Sequence, residues 1–227
     1  MKKKIILASA SPRRRELLTQ IGLTFTVMPS DVEENPVSTL PQDIVIELSK
    51  EKARDVWEKV KSVGNDNIGN DTAVRTESDI DDSQISSADG SQINGADVLV
   101  LSADTVVSIE GEILGKPKDE EDAVRMLSLL SGKEHQVYTG VTMIWISEES
   151  KKEEYSFYVC TGVLMYRMNR AEIMEYVRSG EPMDKAGAYG VQGKAAAFIK
   201  AIRGEYSNVV GLPVGRLYQE MKAWDLL

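Results

Sequence analysis

The chain of 227 residues is 42% apolar and 28% charged, the proportions of a globular protein long enough to bury a sizeable core. No stretch approaches the ~18 consecutive apolar residues of a helical membrane span. Of the formal charge of −9, residues 63–97 carry −7 through eight acids against Arg75 alone, and the nearly neutral remainder argues against a broad basic footprint for nucleic acid.

In chain order, the opening MKKKIILASAS mimics a signal peptide. Its apolar run is too short and meets arginines at once, so a cytoplasmic protein is expected. Ile5, Ile6 and Leu7 read as a strand feeding a helix, with Ser11 as N-cap, Pro12 at the first helical position and Leu17, Leu18 and Ile21 at helical spacing. Thr24 to Ser30 reads as a second strand and Asp31 to Pro36 as a polar loop. Thr39-Leu40-Pro41-Gln42 fits a capping box opening a helix to about Val60, whose apolar stripe (Val45, Leu48, Val56, Val60) also carries Lys52. Residues 63–97, rich in Asn, Asp, Ser and Gly with no sustained period, are expected to be a mobile, disordered acidic insertion, a tolerated loop expansion rather than a binding segment, and deletion of 65–95 is expected to leave activity within several-fold.

Val98 to Ser102 reads as a buried strand ending at Ala103-Asp104-Thr105, and VVSIEGEIL as a hairpin turning at Glu110-Gly111. A helix follows from about Asp119 to Leu130, then two long strands, QVYTGVTMIWIS and EYSFYVCTGVLMYRM. His135, the single histidine, lies near the start of the first, and with no cysteine cluster it gives no zinc site. Cys160, the single cysteine, reads as a small buried core residue and fits a reducing compartment. Asn169-Arg170-Ala171-Glu172 caps another helix. A glycine-dotted stretch from Asp184 to Gly193, a short hairpin-like AAFIKAIRGEYSNVVG and a last helix from about Val214 complete an α/β fold with a mixed sheet.

Three arginines in the first turn of a helix are unfavourable against its dipole, and a bound anion would reverse that. Arg13 and Arg14 are therefore candidate phosphate ligands, unless they splay out to pair with surface acids. Asp104, where a buried strand ends, is placed to hold a divalent metal, to act as a base on water, or to cap the next turn. Lys52 and Lys116 either reach a polyphosphate or are ordinary surface charges. Glu33 and Glu34 add carboxylates for a metal shell.

LASASPRRRELL, the EE of DVEEN, SKEKA, SADTVV, GKPKDEEDA, LSGKEHQVYTGV and EPMDKAGAYGVQGKAAAFIKAIRGEYSNVVGLP occur in one order and resemble the Maf (septum formation) family of nucleotide pyrophosphatases over nearly the whole chain outside 63–97. The resemblance implies a single domain over 1–227 with a Maf-like, inosine triphosphatase-like fold, in which a mixed twisted sheet is flanked by helices and two lobes enclose a central cleft. It implies metal-dependent hydrolysis of a nucleoside triphosphate to the monophosphate and pyrophosphate, with Mg²⁺ or Mn²⁺ as cofactor. Asp104 falls on the family's proton acceptor, and Ser9, Arg13, Arg14, Glu34, Lys52, Lys116 and Gln192 on its other active-site positions. Ser9, Arg13, Arg14, Lys52 and Lys116 are expected to bind phosphates, and Glu34 with Asp104 to carry the metal. Arg13, Thr105 and Gln192 match the group that prefers dTTP and UTP, whereas the sister group acting on 7-methyl-GTP carries a bulkier aromatic in place of the first arginine. Gly187, Gly190 and Gly193 around Gln192 would let backbone approach a flat base, or else serve as ordinary turn-makers. Homodimers are common in families of this type. A non-catalytic, nucleotide-responsive regulator of septum formation is the rival reading, and Asp104→Asn separates the two because a sensor does not need that carboxylate.

Overall fold

The computed structural model describes residues 3–65, 98–147 and 149–227; the acidic insertion expected at 63–97 lies almost wholly outside them. Strand β1 (Lys4–Leu7), helix α1 (Pro12–Gln20), β2 (Phe25–Val27) and helix α2 (Pro41–Asn65) come first. Next are β3 (Val98–Ile109), β4 (Glu112–Leu114), α3 (Glu120–Leu130), β5 (Glu134–Ile146) and β6 (Lys152–Met165). Helix α4 (Arg170–Arg178), β7 (Ile199–Arg203), α5 (Tyr206–Val210) and α6 (Val214–Ala223) close the chain. The sheet runs β2-β1-β3-β5-β6-β7, with β4 added beside β3. β1 pairs in parallel with β2 and β3, and the remaining pairs are antiparallel, so the sheet is mixed, as expected.

Strand periodicity divides the core in two. Odd-numbered residues of the central strands (Leu99, Leu101, Val107, Val137, Val141, Val163) pack with Leu18 of α1, Leu127 of α3, Val177 of α4, Val210 of α5 and Leu217 of α6. Even-numbered residues (Ile6, Val98, Val100, Val106, Ile144) pack beneath α2, against Val45, Leu48, Val56, Trp57 and Val60. One long helix thus covers one face and the other helices share the opposite one. No described helix is long and apolar enough to cross a membrane.

Several expectations are corrected. α2 begins not from a Thr39 capping box but with Pro41 at its first position. The carbonyl of Leu40 takes the first helical bonds, from Asp43 and Ile44, and Glu47 reaches back to accept the N–H groups of Val37 and Ser38. β3 does not end at Asp104 but runs on to Ile109, because β5 pairs with it continuously from Leu99 to Ser108. The hairpin at Glu110-Gly111 forms, with both residues at positive φ (51° and 84°). The AAFIKAIRGEYSNVVG segment is not a hairpin: β7 pairs with β6, and the chain then turns into α5. Cys160 is exposed rather than buried, since the buried positions of β6 are Phe157, Thr161, Val163 and Met165 and Cys160 falls on the other parity.

Candidate active site

Ser9, Arg13, Arg14, Glu34, Lys52, Asp104, Thr105, Lys116 and Gln192 all line one cleft of about 620 Å³, a volume in the range of small-molecule sites. Glu33 does not line it; its carboxylate faces the side-chain amide of Asn35. The sheet itself makes the opening. Along the edge of β3 away from β5, β1 pairs with Val98–Leu101 and β4 with Val107–Ile109. Neither reaches the residues between, because β1 turns away after the Ala8 N–H bonds the Leu101 carbonyl. Asp104 and Thr105 lie on that bare edge and point to opposite faces of the sheet.

On the α2 face, Lys52 Nζ donates to Asp104 Oδ1 at 2.5 Å and lies 2.7 Å from Glu34 Oε1. The Lys52 and Asp104 side chains are only 15% and 10% exposed. Gly140 lets α2 come this close: it sits opposite Asp104 in the ladder, and a Cβ there would stand 2.3 Å from the Val45 carbonyl oxygen. Ser102, one pleat before Asp104 on the same face, donates its hydroxyl to the Ser49 carbonyl of α2 and tightens the contact. Burial pushes the Asp104 carboxyl above its usual range, against the pull of Lys52 and Arg14. For Glu34, partial burial opposes ionisation, but the Lys52 ammonium, with Lys116 and Arg14 behind it, outweighs that and holds the carboxyl below its usual range.

On the other face, Arg14 is clamped. Its Nε donates to the Gly211 carbonyl at 2.8 Å, Nη1 to the Ser9 hydroxyl at 3.0 Å and Nη2 to the Thr105 hydroxyl at 3.2 Å. Thr139 donates to the Asn208 carbonyl, so the Thr105 hydroxyl donates to Thr139 and accepts from Arg14. Asn208 is itself fixed in the core by bonds from its amide to the Val137 carbonyl and the Thr161 hydroxyl. Arg13, its neighbour in sequence, is bound differently. It pairs at 3.0 Å with Asp184, whose side chain is 62% exposed. Ser11 occupies the N-cap position without a side-chain cap; its own N–H is taken by the Ser9 hydroxyl. Lys116 is exposed on the cleft rim.

Gln192 is exposed on a loop whose shape comes from residues that the sequence reading passed over. Tyr176 donates to Glu181 Oε1 at 2.9 Å and accepts from the Gly190 N–H, while Glu181 Oε2 accepts from the Lys194 N–H. A Cβ at Gly193 would fall 2.0 Å from Glu181 Oε1, and one at Gly190 would fall 2.6 Å from the Lys185 side chain. The space a Cβ would need at these two glycines is taken by Glu181 and Lys185. Tyr189, at the start of the loop, meets Nε2 of His135 at 2.7 Å. Burial lowers that imidazole to about 4, leaving it neutral at ordinary pH.

Among the described residues no group of three or more His, Cys, Asp or Glu side chains is gathered as a metal cage. Glu34 and Asp104 are two carboxylates already bridged by one cation, the Lys52 ammonium. That donor set fits a hard divalent ion such as Mg²⁺, which takes one or two protein carboxylates and completes its shell with water and substrate phosphates.

A family model described as Maf-like protein matches residues 4–224. The dTTP/UTP pyrophosphatase of Agathobacter rectalis is 48% identical over 219 residues, covering 96% of this chain and 96% of that protein. Its namesake from Lachnoclostridium phytofermentans is 41% identical over 223 residues, covering 98% and 96%. A third, from Carboxydothermus hydrogenoformans, is 43% identical over 221 residues, covering 97% and 98%. Among solved structures, the Staphylococcus aureus Ham1 protein aligns over 97% of this chain and 99% of its own at 14% identity, with a TM-score of 0.42, too loose a match to bear on function.

Proposed function

This chain belongs to the family of Maf-like proteins, and from that premise we propose that it is a nucleoside triphosphate pyrophosphatase acting on dTTP and UTP, giving the nucleoside monophosphate and pyrophosphate. The observation that carries the reading is convergence. Nine residues scattered from Ser9 to Gln192 line one cleft, in a chain whose relatives at 41–48% identity bear that activity in their names.

In this reading the triphosphate lies along Ser9, Arg13, Arg14, Lys52 and Lys116, with the α–β bridge near Asp104. Water adds to phosphorus at that bridge, the phosphoanhydride bond breaks, and pyrophosphate leaves. Asp104 takes the proton, a role that burial favours by raising its basicity. The clamped Arg14 offers a preorganised donor, which acts without reorganisation as charge develops. Mg²⁺ or Mn²⁺ on Glu34 and Asp104 would offset phosphate charge. Gln192 presents both a donor and an acceptor, the pattern needed at the O4/N3 edge of uracil or thymine. Thr105 touches Arg14 and Thr139, so its influence on substrate choice runs through the placing of Arg14. Nucleoside triphosphates are cytoplasmic metabolites, and the cytoplasm is where we place the activity.

The test is to incubate the protein with Mg²⁺ or Mn²⁺ and dTTP, UTP, CTP, GTP or 7-methyl-GTP, and to assay pyrophosphate and orthophosphate separately. Pyrophosphate from dTTP and UTP in excess over the others is expected. Turnover chiefly of 7-methyl-GTP would overturn the base assignment, and release of orthophosphate alone would overturn the bond assignment.

A further inference from the structure

The Lys52 ammonium stands between the two carboxylates proposed to carry the metal, within 2.5 Å of Asp104 Oδ1 and 2.7 Å of Glu34 Oε1. We propose that Lys52 and the divalent cation are alternatives at one position, so that the protein alone holds metal weakly and the cation is taken up together with the nucleotide's phosphates. This rests on the reading of Glu34 and Asp104 as the metal's carboxylates and adds to it the order in which the site fills.

Three observations carry the inference. The first is competition for the same atoms: a cation bridging Glu34 and Asp104 needs the oxygens that Lys52 already engages. Asp104 and Lys52 are nearly buried, so the contest takes place where charge is weakly screened and the ammonium is not lightly exchanged. The second is the poverty of the donor set. Two carboxylates fill a minority of the positions around an octahedral ion, and no third His, Cys, Asp or Glu among the described residues joins them into a cage. Phosphate oxygens are then the donors that tip the balance against the lysine. The third is that Lys52 has another partner within reach. It lines the cleft together with Arg13, Arg14 and Lys116, and its four-carbon stem lets the ammonium swing to a phosphate oxygen while α2 stays seated on Gly140. Metal and nucleotide therefore help one another: the metal releases Lys52 to the phosphates, and the phosphates complete the metal's shell. By reciprocity each raises the affinity of the other by the same factor.

The experiment measures Mn²⁺ binding by electron paramagnetic resonance on the full chain, alone and with α,β-methylene-dTTP, which cannot be cleaved at that bridge; Mn²⁺ held by the analogue without protein is subtracted. Wild type, Lys52→Met and Lys52→Arg are compared. Wild type is expected to bind Mn²⁺ weakly alone and tightly with the analogue. Lys52→Met should bind Mn²⁺ alone about 10- to 100-fold more tightly than wild type, the factor of one charge-assisted hydrogen bond, although its turnover falls. Lys52→Arg, which keeps a cation at the position, should stay near wild type. Equal affinity of wild type for Mn²⁺ with and without the analogue would overturn the proposal, as would a Lys52→Met protein that gains nothing. Should Lys52→Met fail to melt cooperatively, the wild-type comparison decides alone. Glu34→Gln separates the two levels: if it leaves Mn²⁺ uptake with the analogue unchanged, the metal does not use that carboxylate, and the reading beneath the proposal fails first.

Discussion

The two faces of β3 around the cleft are built on different principles. Toward α2, Asp104 is held by charge, through one ammonium shared with Glu34. Toward α5, Thr105 belongs to a chain of oriented dipoles, from Arg14 through Thr105 and Thr139 to the Asn208 carbonyl, in which every hydroxyl donates once and accepts once. The first arrangement can exchange one cation for another, because an ion pair has little directional demand. The second has fixed directions and cannot be rearranged without leaving a buried donor or acceptor unmade, at about 1–3 kcal/mol each. The site thus joins an exchangeable half, suited to charge that changes during a reaction, to a rigid half, suited to positioning.

The comparison is sharpened most by Asp104→Asn, which keeps the shape and removes the proposed base. Turnover should fall about 10²- to 10⁴-fold, the usual contribution of general base catalysis, with little change in the thermal melt. Assaying pyrophosphate release beside the melt separates this from unfolding. The pH profile bears on the same group. Because burial raises the Asp104 carboxyl and the base must be deprotonated, kcat/KM of wild type should decline as the pH falls through a value above the ~3.9 of an ordinary aspartate. A flat profile down to pH 4 would count against the assignment.

Gly140→Ala should break the exchangeable half from beneath. Its Cβ meets the Val45 carbonyl, so α2 must lift. Overpacking of this kind costs about 1–3 kcal/mol, visible as a lower Tm, and Lys52 is carried away from Asp104, so kcat should fall too. Thr139→Val tests the rigid half. It is nearly isosteric but removes the donor to Asn208 and the acceptor for Thr105, leaving the Asn208 carbonyl without its hydroxyl partner. A loss of about 1–2 kcal/mol of stability and about tenfold in kcat/KM is expected, because the Thr105 hydroxyl that accepts from Arg14 loses the partner that orients it. Smallest is Asp184→Ala. It frees Arg13 from an exposed partner, and exposed pairs contribute at most ~1 kcal/mol, so kcat/KM for dTTP should change less than about fivefold. A larger effect would mean that Asp184 does more than hold Arg13 in the open.

The stripe Val45, Leu48, Val56 and Val60 made α2 legible, and Lys52 falls on it at helical spacing, which left open whether that lysine reaches a phosphate or only snorkels to the surface. Cys160 was not legible. It lies on the α2 side of the sheet between Tyr158 and Gly162, and α2, which packs over the even-numbered residues of β1, β3 and β5, does not cover this position of β6. Gly140 carried no signal either, since the need for it comes from the Val45 backbone, distant in sequence. Tyr176 and Glu181 shape the Gln192 loop through bonds spanning 5 to 14 residues. The glycines at 190 and 193 pointed toward that loop without saying which side chains they accommodate.

By itself the sequence determined most of the elements and their order, since periodicity and turn residues act locally; the reach of β3 and the β7–α5 segment were the exceptions. It also carries the residue types that the proposed chemistry calls for: cations for phosphate, carboxylates for metal and proton, and an amide for the base. Only the tertiary structure decided their partnership. Adjacent Arg13 and Arg14 look alike along the chain, but Arg14 is enclosed by Ser9, Thr105 and Gly211 while Arg13 reaches an exposed aspartate. Asp104 became a site residue because β1 and β4 leave that edge of β3 bare, and because Gly140 lets α2 bring an ammonium to it. Burial and long-range proximity set the strength and direction of these contacts, and neither quantity exists until the chain has folded.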